Sequence, residues 1–186
     1  MSFIETIEPG DAEGELLEIY NDILSSRGQV AEVLKIHSLN PKSLTNHMDL
    51  YMTIMFGKSP IKRKVREMMA VVVSTANNCI YCQTHHGEAL MNFWKDEERL
   101  NLLKADFRTA NLDEKSLVLA EHAWNLTKNP SYTTDKVVQG IRDKGWNDRA
   151  ILDANMVICY FNFVNRMVMG LGANLEENAG KGYKYD

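Results

Sequence analysis

The sequence predicts an all-α protein, a single domain spanning residues 1–186. Apolar residues recur every three or four positions over most of the chain, the spacing that builds one face of an α-helix. No segment alternates apolar and polar residues for more than a few positions, as a half-buried strand would. Punctuation falls where the periodic stretches end: Asp, Asn or Ser ahead of them, and Gly, Asn-Asn or Asn-Pro behind.

Residues 1–10 read as extended and close on the turn signal Pro9-Gly10. Asp11 caps a helix to about Ser26, with Leu16, Leu17, Ile19, Tyr20, Ile23 and Leu24 at helical spacing and Gly28 as its stop. A short helix over residues 30–39 ends at Asn40-Pro41, and residues 42–56 place Leu44, His47, Met48, Tyr51, Met52, Ile54 and Met55 on one broad stripe. Ser59 then caps a helix with Pro60 in its first turn. That helix carries Val65, Met68, Met69, Val72 and Val73 to about Ala76. Its β-branched run Val71-Val72-Val73 lies inside a helical pattern too long for a strand. Asn77-Asn78 breaks the chain, and a helix from about Cys79 to Phe93 follows. Asp96 to Ala105 forms a short helix, and Asp113 caps one carrying Leu117, Leu119, Ala120, Ala123, Trp124 and Leu126. A helix over residues 134–144 and a long one from Asp148 to about Met169 complete the set, leaving a polar, loosely packed tail. The domain therefore divides into N-terminal helices (1–58), a central segment (59–106), a second helical half (107–173) and the tail (174–186).

A net charge of −4 argues against a nucleic-acid partner, whose phosphates demand a basic face. No stretch reaches the roughly 18 apolar residues of a membrane span, so no membrane partner is expected. The first residues lack the basic and apolar regions of a secretory signal, which makes the cytoplasm the expected compartment. Three cysteines cannot build a secreted disulfide framework. In a reducing compartment, a close cysteine pair is redox-active or metal-binding more often than structural.

The chemistry concentrates in Glu67-x11-Cys79-Ile80-Tyr81-Cys82-Gln83-Thr84-His85-His86. At about 100° per residue, Cys79, Cys82 and His86 fall within about 60° of one another on a helix, while His85 points about 100° away from His86. The preceding helix, reversed at Asn77-Asn78, lays Glu67 beside them. The first turn of a helix favours a thiolate through its unpaired N–H groups and its dipole. Ionisation alone gains little, because nucleophilicity falls as thiol basicity falls. A peroxidase must also protonate a departing alkoxide, and general acid catalysis supplies about 10²–10⁴-fold. His86, oriented and kept basic by Glu67, fits that role. The expected cycle runs from thiolate to sulfenic acid to Cys79–Cys82 disulfide, with an external dithiol restoring the pair.

These residues resemble the signature of the AhpD-like alkylhydroperoxidase family, within the carboxymuconolactone decarboxylase superfamily, and most of all its peroxidase-related branch. The family pattern Glu-x11-Cys-x-x-Cys-x3-His is met by Glu67, Cys79, Cys82 and His86 without a gap, and Tyr160-Phe-Asn-Phe-Val-Asn-Arg166 also looks like that branch. The resemblance implies an all-helical fold with a degenerate internal repeat and subunits assembled as dimers, trimers or hexamers. It implies a hydroperoxide substrate, no cofactor, and a dihydrolipoyl or thioredoxin-like dithiol as reductant. It makes Cys82 the peroxide-attacking sulfur and Cys79 the resolving one, whereas the helix dipole alone favours Cys79. The best-studied branch carries a His where this chain has Tyr81, and a phenol with a pKa of about 10 is a poor base at neutral pH. Members with decarboxylase activity lack the CxxC, so that reaction is not expected. A faint echo of the motif, Cys159-Tyr-Phe-Asn162 with Arg166, is consistent with a repeat.

Other readings of the same residues stay open. The pair serves equally in a dithiol–disulfide oxidoreductase or redox sensor without peroxidase turnover, or stands idle in a helical assembly protein. Zinc is the metal alternative, on Cys79, Cys82 and His86 with Glu67 or His85. Glu67 has a competing partner in Arg63 or Lys64 on its own helix. Lys62-Arg63-Lys64 with Arg66 reads as a solvated face, and His85 as a packing or interface residue. Cys159 reads as a small buried hydrophobe, and His37, His47 and His122 as partly buried structural residues. Met48, Met52 and Met55 read as core or subunit contact, and Tyr160, Phe161 and Phe163 as packing in the core or over the thiols.

Overall fold

The computed structural model describes residues 2–178 and 181–182, and among these the regular structure is helical throughout, with no strand. Helix α1 (Gly14–Arg27) turns Leu16, Tyr20 and Ile23 inward against Val30, Leu34 and Leu44, forming a small N-terminal core with α2 (Glu32–Lys35) and α3 (Pro41–Tyr51). Gly28 ends α1 in the left-handed region at φ 86°, its N–H closing on the Leu24 carbonyl.

The main core is organised around α4 (Arg63–Ala76), in which every residue from Arg66 to Ser74 is buried. Helices α5 (Ile80–Trp94), α7 (Glu114–Lys128) and α9 (Asp148–Leu171) pack around it. Helix α6 (Glu97–Asp106) lies against α4 and α5, and α8 (Asp135–Asp143) lies against α9. Asp113 caps α7 as the sequence predicts, accepting the Ser116 N–H, and Asp96, read as the first residue of α6, caps it instead by accepting the Arg99 N–H. Each such cap is worth about 1 kcal/mol.

Asn77 and Asn78 make the reversal that positions the site. Asn78 sits at φ 58°, a left-handed conformation that Asn tolerates better than most residues. The Asn77 amide donates to Asn162 at 3.1 Å and to Asn165 at 2.9 Å, tying the turn to α9. α5 therefore starts at a fixed place against α4.

Three local expectations give way. Asp11 belongs to a short 3₁₀ turn, Pro9–Asp11, and α1 begins only at Gly14. Ser59 does not cap α4, which begins at Arg63; its hydroxyl accepts from Ile61 N–H and donates to Asp153 on α9 at 2.6 Å. Residues 42–56 are not one α-helix, because the chain passes after Tyr51 into a π-helical turn, Met52–Phe56. The wider turn rotates the following residues, so Ile54 and Met55 are buried while Met52 is 42% exposed. The buried Arg66 guanidinium donates to the Ile54 and Ile61 carbonyls and fastens this turn to α4. Gly57 closes it, and a Cβ there would strike the Thr53 carbonyl oxygen.

His37, His47 and His122 are all buried, as expected, and burial holds all three below their ordinary pKa. For His47 the value falls to about 4, with His37 adding like-charge repulsion. The unfolded chain binds these protons first, so the stabilisation is complete above pH 6.5 and is lost as pH falls toward 4. For His47 this amounts to on the order of 3 kcal/mol. Thermal midpoints should therefore drop steadily between pH 6.5 and 4, and a flat profile there would contradict the burial of neutral imidazoles.

Candidate active site

Glu67 occupies the middle of α4 with 0% of its side chain exposed, and both of its oxygens are held. Arg63, one turn earlier, donates to Oε1 at 2.7 Å, and the Nδ1 of His86 on α5 lies 2.7 Å from Oε2. The two partners weighed as alternatives are thus both present. Burial by itself would raise the carboxyl pKa, but His86 and Arg63 outweigh it and hold Glu67 below its ordinary value. The carboxylate engages Nδ1 of His86, leaving Nε2 outside this contact. Phe161 fixes the ring from α9, edge to face at 4.4 Å.

Cys79 stands at the N-cap of α5 and Cys82 in its first turn, 1% and 2% exposed. The two thiols are free and lie 3.5 Å apart. Cys79 receives hydrogen bonds from the thiol and the backbone N–H of Cys82, which lower its pKa against the opposing effect of burial. Cys82 is pushed well above its ordinary value, chiefly by the proton it shares with Cys79 and by burial. The nearby Asn165 side chain offsets part of this. Of the two sulfurs Cys79 is therefore the more readily ionised, as the helix N-terminus favours.

A cavity of about 90 Å³, partly open to solvent, lies over this constellation. Cys82 and His86 line it together with His47, Tyr51, Tyr160 and Phe161, whereas Cys79 lies behind. The lining is mainly apolar, room enough for a small organic molecule or a few waters. The Tyr160 hydroxyl meets Nε2 of His47 at 3.0 Å within it.

Glu176 is the functional candidate that sequence reasoning missed. Its Oε2 lies 2.7 Å from Nε2 of His85, and its Oε1 accepts from the Tyr81 hydroxyl at 2.8 Å and from the Glu32 N–H at 2.9 Å. The Tyr81 oxygen in turn accepts from Val33 N–H, and its ring stacks on His85 at 4.4 Å. Burial raises the Glu176 pKa, but the His85 contact and the backbone N–H groups bring it down to about 2. Within the tail Glu176 is half-buried and its carboxylate joins α2 to α5 beside the cavity, while residues 174, 175, 177 and 178 are exposed, as the expected loose packing implies. Residues 179–180 and 183–186 of that tail lie outside the described set. Tyr81, which departs from the best-studied pattern, is held by this network instead of standing in a direct relay.

Other expectations sort themselves by burial. Cys159 is exposed on α9, not buried, so the echo of the motif does not reproduce its chemistry. Phe163 is exposed as well, whereas Tyr160 and Phe161 are buried as expected. Arg63 is engaged with Glu67 and lies 3.6 Å over the Phe56 ring, and Arg66 is buried, so only Lys62 and Lys64 of the basic run face solvent. Among the described residues, no three His, Cys, Asp or Glu side chains are placed to hold one metal ion. None of the described helices is long and apolar enough to cross a membrane.

The profile of the Carboxymuconolactone decarboxylase family matches residues 41–106, which contain Glu67, Cys79, Cys82 and His86. Among solved structures, an uncharacterized peroxidase-related protein from Silicibacter sp. TM1040 is 26% identical, with a TM-score of 0.88 over 98% of this chain and 96% of that one. A second, from Ralstonia eutropha JMP134 and described as an alkylhydroperoxidase AhpD core, is 19% identical, with a TM-score of 0.87 over 98% of each chain. A variant of the debrominase Bmp8 in complex with 2,3,4-tribromopyrrole is 15% identical, with a TM-score of 0.80 over 96% of each chain. At those two lower identities the likeness is one of fold. No curated protein matches the chain. The profile match over the hairpin that carries the thiols, joined to a fold shared along almost the whole chain, supports the resemblance to the AhpD-like carboxymuconolactone decarboxylase superfamily.

Proposed function

We propose that the protein is a thiol-dependent reductase of small hydroperoxides. The observation that carries this reading is a thiol pair at 3.5 Å sharing its site with a His86–Glu67 dyad, Cys82 and His86 lining one cavity. Cys82, the sulfur that meets the cavity, attacks the terminal peroxide oxygen while its proton passes to the Cys79 thiolate. The O–O bond breaks, the electron pair leaves on the alkoxide, and His86 protonates it to an alcohol. His86 then takes the proton from Cys79, which attacks the Cys82 sulfenic acid. The S–O bond breaks and the hydroxide leaves as water, recovering the proton from His86. An external dithiol reduces the Cys79–Cys82 disulfide and is itself oxidised. The sum is ROOH plus dithiol giving ROH, water and a disulfide.

A reducing cytoplasm and a dihydrolipoyl or thioredoxin-like donor complete the reading. Exposed apolar side chains at Ile80, Leu152 and Phe163 support assembly as a dimer, trimer or hexamer. Stopped-flow oxidation by an organic hydroperoxide tests the reaction, followed by steady-state consumption with a panel of dithiols. Oxidation about 10²-fold faster than free cysteine is expected from general acid help. A rate no better than free cysteine rejects the peroxidase. Rapid dithiol exchange without fast peroxide oxidation assigns the pair to a disulfide oxidoreductase instead.

A further inference from the structure

Arg27 ends α1 only 8% exposed and lines the same cavity as Cys82. Its surroundings are unusual for a buried cation. The guanidinium lies 5.0 Å from the Tyr51 ring and 5.2 Å from the Phe56 ring, and meets the thioether of Met52 at 3.3 Å. Among the described residues, no carboxylate pairs with it. The other arginines of this region are served differently: half-buried Arg63 has Glu67, and buried Arg66 has two backbone carbonyls. A guanidinium offers five donors, and rings and a thioether answer them weakly. Burying a charge without a counter-charge is expensive, and a ligand that brings the missing anion recovers that cost.

The rest of the wall is mainly apolar, so a fully polar anion such as free phosphate is a poor match. The Tyr51 ring beneath Arg27 stacks on Tyr160 at 5.9 Å, and Arg27, Tyr160 and Cys82 line the one cavity. We propose that Arg27 binds the carboxylate of the substrate, which is a small hydroperoxide carrying an acid group on a compact aromatic or branched apolar body. This rests on the reading of the cavity as the reactive pocket. Guanidinium and carboxylate match in a planar, two-pronged hydrogen bond, which fixes the orientation of the ligand as well as its affinity.

Binding is measured without turnover, so the result stands apart from the fate of the peroxidase reading. Benzoate and benzyl alcohol, alike in shape and different in charge, are titrated by calorimetry into the wild type and Arg27→Gln. Benzoate is expected to bind at least roughly tenfold more tightly than benzyl alcohol to the wild type, and Arg27→Gln to erase that preference. In turnover, a carboxylated cumene hydroperoxide should exceed cumene hydroperoxide in kcat/KM by a similar factor, again only with Arg27 present. Equal affinity for the two probes in the wild type, or a preference that survives Arg27→Gln, overturns the proposal. Should Arg27→Gln fail to fold, the side-chain nitrogen resonance of Arg27 in the wild type decides. A shift on adding benzoate supports the contact, and an unmoved resonance refutes it.

Discussion

Replacing Glu67 by Gln is expected to lower peroxide turnover by roughly 10²–10³-fold while leaving both thiols titratable under denaturing conditions. Gln preserves the shape but not the charge. The amide cannot balance both Arg63 and an imidazolium, and its NH₂ group presents a donor where Nδ1 of His86 now meets an acceptor. Breaking a buried ion pair by removing one partner costs about 3–5 kcal/mol, so the variant must be assayed well below its own melting temperature. His86→Ala separates the catalytic loss from the structural one. If Glu67 acts through His86, adding Glu67→Gln to His86→Ala should slow turnover little further, although stability falls again. The acid limb of unfolding carries a second signature. Because the folded Glu67 carboxyl lies below its ordinary value, its stabilisation is present above the unfolded pKa and lost as pH falls through the folded one. Glu67→Gln should be less stable at neutral pH yet lose less on acidification. Unchanged turnover in Glu67→Gln would remove the dyad from the mechanism.

The parts of the fold that were legible in the sequence are those decided within a few residues. Asp96 and Asp113 reach N–H groups three positions ahead, and Asn77-Asn78 reverses the chain through its own backbone and side chains. Ser59 failed as a cap because its preferred partner, Asp153, lies 94 positions away. The π-turn at Met52–Phe56 was illegible for another reason. Its residues suit an α-helix, and the widening is set by Gly57 below and by Arg66 reaching in from α4. Cys159 shows the limit of reading burial from an apolar run, for its neighbours Ile158 and Tyr160 turn inward and it turns out.

The site divides along the same line. Glu67, Cys79, Cys82 and His86 stand in one hairpin, so their spacing carried the geometry. Arg63 and His86 looked like rivals for Glu67 only because a one-dimensional pattern does not assign the two carboxylate oxygens separately. Asn165 offered a faint signal, a polar residue in an apolar stretch of helix, and its purpose emerges only where α9 crosses the Cys82 thiol. Glu176 and Arg27 offered none. Arg27 lines the cavity and Glu176 holds Tyr81 and His85 in its wall, and their charges read as ordinary surface charges until the fold places them there.

Cys82→Ala is expected to abolish peroxide oxidation, whereas Cys79→Ala should still be oxidised once and then stop. The asymmetry follows from two facts that point in opposite directions. Cys79 is the more acidic thiol, but Cys82 lines the cavity. A thiolate that cannot touch the peroxide does no chemistry, so access decides the attacking sulfur and acidity decides where its proton goes. In Cys79→Ala, Cys82 loses both the partner that receives its proton and the like charge that raises its pKa, yet stays buried. Its single oxidation should therefore persist, leaving a sulfenic acid with no thiol to condense with, which a sulfenic-acid trap and mass spectrometry would locate. In Cys82→Ala, Cys79 loses the S–H donor that lowers its pKa and keeps the backbone N–H of residue 82. Its thiolate absorbance should thus rise at higher pH than that of the wild type. Sulfenic acid trapped on Cys79 in Cys82→Ala, at a rate near the wild-type value, would reverse the two roles and make the helix terminus, not the cavity, the seat of attack.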